Sequence, residues 1–173
     1  VTGGVIEYCE AMNNGWDMPR EGNGPVGIWG WNSDRLIIQY CISHDNKSPG
    51  LDGGGFDFDG GVTHSMMQYN LSYRNAGAGF GLYQFPSAHR WENNIVRYNI
   101  SVADGSQNAR CGIHIWAGGE DMTGAEIYNN IIINCHHAIG YLHDVPGLNF
   151  HDNIFITGAV PVYGPHSKSR YSD

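Results

Sequence analysis

Short alternating runs of apolar and polar residues, separated by segments rich in glycine and asparagine, recur along the whole chain. One run reads LIIQYCISHDN at Leu36–Asn46 and returns as SMMQYNLSYRN at Ser65–Asn75. Copies of this template begin at Gly4, Leu36, Ser65, Asn94, Glu126 and Asn149. None has the three- and four-residue spacing of apolar residues that an amphipathic helix requires. A repeat of about 30 residues built from short strands predicts a solenoid.

Aligning the copies places asparagine or cysteine in one column. Its members are Cys9, Cys41, Asn70, Asn99, Asn130 and Asn153. Stacked coils lie about 4.8 Å apart, so amide side chains in one column can hydrogen-bond to the coils on either side. We interpret the column as a buried ladder. Between Cys9 and Cys41 this spacing allows either a disulfide or two free thiols. A second column, of Asn14, Asn46, Asn75 and Asp104, is typical of turns.

A second short strand follows each template, in GIWGW, FDFDG, FGLYQF, GIHIW and AIGYL. Two or three strands per repeat predict an all-β, single-stranded right-handed parallel β-helix of about six coils with an Asn/Cys ladder. The repeat resembles that of the pectate lyase and polygalacturonase superfamily, in which an asparagine precedes a very short strand, as Asn70 precedes Leu71 and Ser72. The likeness covers roughly residues 4–160. We predict one domain over residues 1–163 and a tail over 164–173.

The resemblance implies that function lies on the sheet formed by these second strands, and alternation decides which of their side chains face outward. If Phe56 and Phe58 point inward, Asp57 and Asp59 point outward. The same reading gives two outward rows: Trp29, Asp57, Gly81, His114 and Gly140, and beside them Trp31, Asp59, Tyr83, Trp116 and Leu142. Aromatic side chains that flank carboxylates suit a sugar-binding groove. The long loops before the first two of these strands offer an alternative, because they can fold over and bury the tryptophans.

A glycoside hydrolase is the predicted function, because hydrolysis needs two carboxyl groups beside the scissile bond. Asp57 and Asp59 are the candidate pair, and His114 is a candidate to orient a hydroxyl or donate a proton. The predicted substrate-binding residues are Trp29, Trp31, Tyr83, Trp116 and Glu120. The Asn-Thr-Asp, Asp-Asp and Gly-His-Gly motifs of the polygalacturonases do not occur here. The resemblance therefore implies the location of the site and not its residues.

Two other functions stay open. A polysaccharide lyase of this fold uses a basic residue and often calcium, and Asp45 and Asp52 add carboxylates near Asp57 and Asp59. Oxygen ligands of this kind suit calcium, whereas the hydrolase requires no cofactor. A non-catalytic carbohydrate-binding or structural segment is the third reading. An acidic chain with an aromatic groove favours a neutral glycan over a uronate.

The composition of the chain limits the kinds of partner that it can bind. The 173 residues carry a formal net charge of −8, and Lys47 and Lys168 are the only lysines. Nucleic acid is therefore not an expected partner, because phosphate binding needs clustered basic groups. No apolar run approaches the roughly 18 residues of a membrane-spanning helix. We expect an extracellular or periplasmic protein that binds a polysaccharide. Its apparently uncapped ends predict end-to-end association or a longer parent chain.

Overall fold

The fold was analysed in a computed structural model that describes residues 1–18, 24–109, 111–118, 121–133 and 135–172. These residues form nineteen β-strands, numbered in chain order, in three sheets. The first sheet contains β1 (Thr2–Glu7), β4 (Asp34–Gln39), β7 (Met66–Gln68), β10 (Trp91–Arg97), β13 (Met122–Tyr128), β16 (Leu148–His151) and β19 (Arg170–Ser172). Each of its strands pairs in parallel with the strand of the next coil.

The other two sheets have six strands each. The second contains β2 (Glu10–Met12), β5 (Ile42–His44), β8 (Leu71–Tyr73), β11 (Ile100–Val102), β14 (Ile131–Ile133) and β17 (Ile154–Ile156). The third contains β3 (Ile28–Gly30), β6 (Phe56–Phe58), β9 (Phe80–Gln84), β12 (Cys111–Ala117), β15 (His137–Tyr141) and β18 (Val162–Tyr163). One strand from each sheet makes a coil, and the six coils confirm the predicted parallel β-helix.

The core follows from the alternation of side chains along each strand. Ile38, Met67, Val96 and Ile127 are fully buried at equivalent positions of successive coils in the first sheet. In the third sheet, Phe56 and Phe80 of neighbouring coils stack with their ring centroids 5.3 Å apart. Like side chains therefore pack on like side chains along the axis. This is how a repeated sequence fills a solenoid core.

The end of the chain differs from the predicted tail. Arg170–Ser172 form β19, which pairs with β16. The Tyr171 ring stacks on Phe150 with centroids 5.1 Å apart, and its hydroxyl donates a hydrogen bond to the Tyr141 hydroxyl at 2.9 Å. Tyr171 thus covers apolar surface of the preceding coil, because its ring continues a core column that Phe150 would otherwise end. Residues 170–172 therefore belong to the solenoid.

The asparagine ladder is present. The side-chain amide of Asn70 donates to Oδ1 of Asn99 at 3.0 Å, Asn99 donates to Asn130 at 3.1 Å, and Asn130 donates to Asn153 at 3.0 Å. Each Oδ1 also accepts a hydrogen bond from the backbone N–H of the preceding asparagine. At the other end, the Cys41 N–H donates to Asn70. Cys41 is buried, Cys9 is exposed, and both thiols are free.

The second column is also a ladder, and not merely a set of turn residues. The amide of Asn14 donates to Asn46 at 2.8 Å, Asn46 donates to Asn75 at 2.8 Å, and Asn75 donates to the Asp104 carboxyl at 2.9 Å. Asn46, Asn75 and Asp104 are buried. The sequence pattern alone did not reveal this, since asparagine serves turns and ladders equally well. This second ladder ends at the carboxyl group of Asp104.

Burial raises the pKa of Asp104 to about 6, although hydrogen bonds from Ser101 and Asn75 oppose the rise. An unfolded aspartate has a pKa of about 3.9, so the folded state binds this proton more tightly. The stabilisation is complete below about pH 4 and is lost as the pH rises through the folded pKa. We expect Asp104→Asn to be more stable than wild type at pH 8 by roughly 2–3 kcal/mol, and equal to it at pH 4.

Urea unfolding of both proteins at the two pH values measures this difference. The amide should fit, because the amides of Asn46 and Asn75 already donate to Ser43 and Ser72, each at 3.0 Å, in the way that an amide at position 104 would donate to Ser101. A stability difference that is the same at pH 4 and pH 8 would contradict the assignment of this titration to Asp104.

Candidate functional site

The register of the third sheet brings the predicted outward residues together. Asp57 lies between Trp29 and Gly81 of the neighbouring coils, and Gly81 lies beside His114. In the adjacent row Tyr83 pairs with Trp116. These residues and two loop segments line a groove of about 1140 Å³. Its aromatic lining is Trp16, Trp29, Tyr83, Phe85 and Trp116, and its acidic lining is Asp17, Asp52, Asp57 and Asp59.

The loops form a wall of the groove and do not bury its aromatic side chains. Residues 13–18 and 24–26 precede β3, and Leu51 and Asp52 precede β6. Trp29 remains 48% exposed beside them. The alternative reading, in which the loops hide the tryptophans, therefore does not hold for Trp29. On the outer face of the third sheet, Trp29 is therefore exposed, whereas Tyr83 and Trp116 are half-buried.

Two predicted substrate-binding residues stand apart from this lining. Trp31 is 54% exposed, and its ring packs against Phe85 with the ring centroids 6.4 Å apart. It does not belong to the groove lining. The reason is its position beyond the end of β3, where the chain turns away from the sheet. Glu120 lies outside the described residues.

Asp57 faces the groove but is buried on its floor. Only 3% of its surface is exposed, and its Oδ1 has no hydrogen-bond partner among the described residues. The Tyr83 ring folds back over Gly81, where an added Cβ would lie 2.6 Å from the ring and 3.1 Å from Asp57 Oδ1. Glycine at position 81 is therefore what lets Tyr83 lie close to the Asp57 carboxyl. Burial, followed by the charges of Asp59 and Asp52, raises the pKa of Asp57 well above its usual range.

The carboxyl groups of Asp59 and Asp52 are less buried than that of Asp57. Burial raises the pKa of Asp59, while the backbone N–H of Gly60 opposes the rise by donating to Oδ1 at 2.7 Å. Burial raises the pKa of Asp52 to about 6, and the charge of Asp59 adds to the effect. Asp57 therefore holds its proton to a higher pH than an ordinary aspartate does. Carboxyl groups whose pKa values are shifted by their surroundings in one groove are the usual basis of acid–base chemistry.

His114 and Tyr83 form a neutral pair next to these acids. The Tyr83 hydroxyl and His114 Nδ1 are 3.2 Å apart, and the two rings meet edge to face. Burial lowers the pKa of His114 to about 4 and raises the pKa of Tyr83 well above its usual range. His114 is then uncharged near pH 7. Of the two roles predicted for it, orienting a hydroxyl fits this state better than donating a proton.

The sequence patterns missed part of the lining. Trp16 and Asp17 come from the loop before β3, and Asp52 was considered only as a calcium ligand. A tryptophan next to an aspartate in a long loop that leads into the candidate sheet was the available signal. Calcium binding stays a prediction. Among the described residues, no three His, Cys, Asp or Glu side chains are grouped so that they could hold a metal ion.

Comparison with known families identifies the architecture. The family model for a right-handed beta helix region matches residues 2–155. The chain belongs to the right-handed β-helix family. No curated protein and no solved structure matches it. No segment that the structure describes forms a helix long and apolar enough to cross a membrane. The family establishes the fold, and the function must be argued from the groove.

Proposed function

We propose that this β-helix protein is a glycoside hydrolase that binds a polysaccharide along the groove and cleaves it at Asp57. The observation that supports the proposal most directly is the buried, unpaired Asp57 carboxyl, whose pKa is raised well above its usual range. A carboxylic acid whose pKa is raised by its surroundings is what a hydrolase needs to protonate the leaving glycosidic oxygen. Proteins with this fold also often act on carbohydrates.

In the proposed reaction, Asp57 gives its proton to the glycosidic oxygen as the bond from that oxygen to the anomeric carbon breaks. Asp59 acts as the base that takes a proton from the attacking water. Asp57 and Asp59 both line the groove, and the charge of Asp59 acts on Asp57, so the two carboxyl groups lie on the same side of the chain, as the reaction requires. The neutral His114 orients a sugar hydroxyl, and Trp29 and Trp116 offer flat faces to sugar rings.

The polysaccharide lyase is supported less well. A lyase needs a base and positive groups that neutralise a uronate carboxylate. No lysine or arginine belongs to the described part of the groove lining. The non-catalytic binding module shares the aromatic lining but gives no reason for the four aspartates on the groove floor and wall.

A panel of polysaccharides tests the proposal, with new reducing ends as the signal for hydrolysis and ultraviolet absorbance of unsaturated products as the signal for elimination. We expect reducing ends without unsaturated products on at least one glycan. Unsaturated products would establish the lyase instead. Glycan retention on affinity gels without any cleavage would establish the binding module.

The aromatic lining leads to a separate prediction for binding. Trp116 pairs in register with Tyr83 and its ring lies over Gly118, where an added Cβ would be 2.6 Å from the ring. If a sugar ring stacks there, Trp116→Ala should weaken glycan binding by about 1–3 kcal/mol. Affinity electrophoresis with the glycan that the panel identifies measures the loss. Tyr8→Ala, which removes an exposed ring from a different face, should bind as wild type does. An equal loss in both variants would contradict sugar stacking at Trp116.

A further inference from the structure

We propose that the glycan in this groove carries free amino groups, and that Asp52 is the carboxylate that receives the sugar ammonium. The inference rests on the proposed function, because it takes the groove to be a glycan-binding site. It names the substrate class, which neither the fold nor the pair of Asp57 and Asp59 determines.

The charge of the groove supports this class. Four aspartates line it, and its described lining contains no lysine or arginine. A uronate polymer would bring further carboxylates against these aspartates, and like charges repel strongly where water is partly excluded. An ammonium group would instead find a carboxylate without a basic partner in the described lining.

Asp57 gives an independent sign that this floor receives a polar ligand. Its side chain is buried, faces the groove, and leaves Oδ1 without a partner. Buried polar atoms normally have partners, so each exception calls for an explanation. A sugar in the groove supplies one, with its glycosidic oxygen or a hydroxyl next to Asp57. The ammonium then has to be met by a carboxyl that lies outside the reacting pair.

Asp52 is placed for that role. It lies on the loop wall ahead of β6 and is half-buried, and its charge acts on both Asp57 and Tyr83. Its backbone carbonyl accepts a hydrogen bond from the Asn108 side chain at 2.9 Å. The next residue, Gly53, donates its N–H to Pro25 at 3.1 Å. The carboxylate is thus carried by a backbone that is fixed on two sides. A preorganised, partly desolvated carboxylate binds a cation better than a free one in water.

Aromatic faces next to the carboxylates favour the same class. An ammonium group over a tryptophan ring gains cation–π attraction, which a neutral acetamido group lacks. The protein itself shows this contact at the rim, where Lys47 Nζ lies 5.1 Å from the Trp16 ring centroid. A polyamino sugar can therefore use both the acidic and the aromatic lining.

Binding is tested in the Asp57→Asn background, which suppresses turnover and imitates the protonated carboxyl. The probes are hexasaccharides of β-1,4-linked glucosamine, of N-acetylglucosamine and of galacturonic acid, together with a galactosamine oligomer, titrated by calorimetry at low and high ionic strength. We expect at least one amino oligosaccharide to bind at least tenfold more tightly than its acetylated and acidic counterparts at low ionic strength. High ionic strength should reduce this difference in affinity, because salt screens the attraction between the sugar ammonium and the carboxylate.

Adding Asp52→Asn should reduce the affinity for the amino oligosaccharide about tenfold and leave any binding of the acetylated one unchanged. Asp152→Asn, a carboxyl change between β16 and β17, is the matched control and should have no effect. Equal affinity for acetylated or acidic probes, no binding of either amino probe, or no effect of Asp52→Asn would overturn the inference. If the inference fails but wild type cleaves a neutral glycan, the proposed hydrolase function is still supported. Amino-sugar binding without cleavage would instead remove the hydrolase and keep the inference.

Discussion

Asp57→Asn is expected to lower turnover on the cleaved glycan by about two to four orders of magnitude, the range that general acid catalysis contributes. The amide has the size of the carboxyl group but cannot give up a proton to the leaving oxygen. Because burial disfavours a charge at Asp57 and its Oδ1 has no partner among the described residues, a neutral amide there should disturb neither stability nor glycan binding by much. Initial rates, thermal melting and affinity electrophoresis measure the three quantities separately.

Asp152→Asn is again the matched control, since this exposed carboxyl has His151, at 2.7 Å, as its one hydrogen-bond partner in the part of the chain that the structure describes. It should retain full activity. Full turnover in Asp57→Asn would remove Asp57 from the reaction. A loss of activity that is accompanied by a large drop in melting temperature would show that Asp57 serves the fold.

The architecture could be predicted because every coil of a solenoid repeats the same pattern of strands and turns. Once the Asn70 and Asn99 segments are aligned, alternation along the strands and equal coil spacing determine which residues are neighbours. The register Trp29–Asp57–Gly81–His114 follows from that alignment alone. In most folds such neighbours come from distant, unrelated segments, and no sequence pattern predicts them.

The groove floor could be predicted only in part. Alternation predicts that Asp57 points away from the core, and it does line the groove. Its burial depends on the rotamer of Tyr83 and on the absence of a side chain at Gly81, and neither follows from a period of two. Asp52 was harder still, because it comes from a loop whose path is determined by contacts such as the one from Asn108. Loop geometry of this kind has no periodicity from which it can be read.

The C-terminal coil shows the same limit. The segment before Tyr171 lacks the repeat template, so its polar composition predicts a tail. Tyr171 contacts Phe150 and His166 and hydrogen-bonds to the Tyr141 hydroxyl. These contacts depend on one residue, so they leave no repeat in the sequence, yet they accompany the pairing of Arg170–Ser172 with the first sheet.

The fold itself should depend strongly on the first ladder, and Asn99→Leu is the most direct test. Asn99 is fully buried. It accepts hydrogen bonds from the backbone and side-chain N–H groups of Asn70, and it donates to the Met67 carbonyl and to Asn130 Oδ1. Leucine removes all four hydrogen bonds, although the Asn70 side-chain amide keeps its bond to the Ile38 carbonyl and Asn130 Oδ1 keeps the backbone N–H of position 99. Each group left unsatisfied in the core costs about 1–3 kcal/mol, and the larger leucine side chain must also fit the space of the amide.

We therefore expect Asn99→Leu to lower the free energy of unfolding by about 4 kcal/mol or more, which corresponds to a drop of roughly 10 °C in melting temperature for a chain of this size. Gln107→Leu is the control, because Gln107 is exposed and its side-chain amide makes no hydrogen bond among the described residues. That change should stay within about 0.5 kcal/mol. Calorimetric melting of the two variants beside wild type decides the matter. Equal melting temperatures would mean that the stacked amides do not hold the coils together, and the register from which the groove was derived would lose its physical basis.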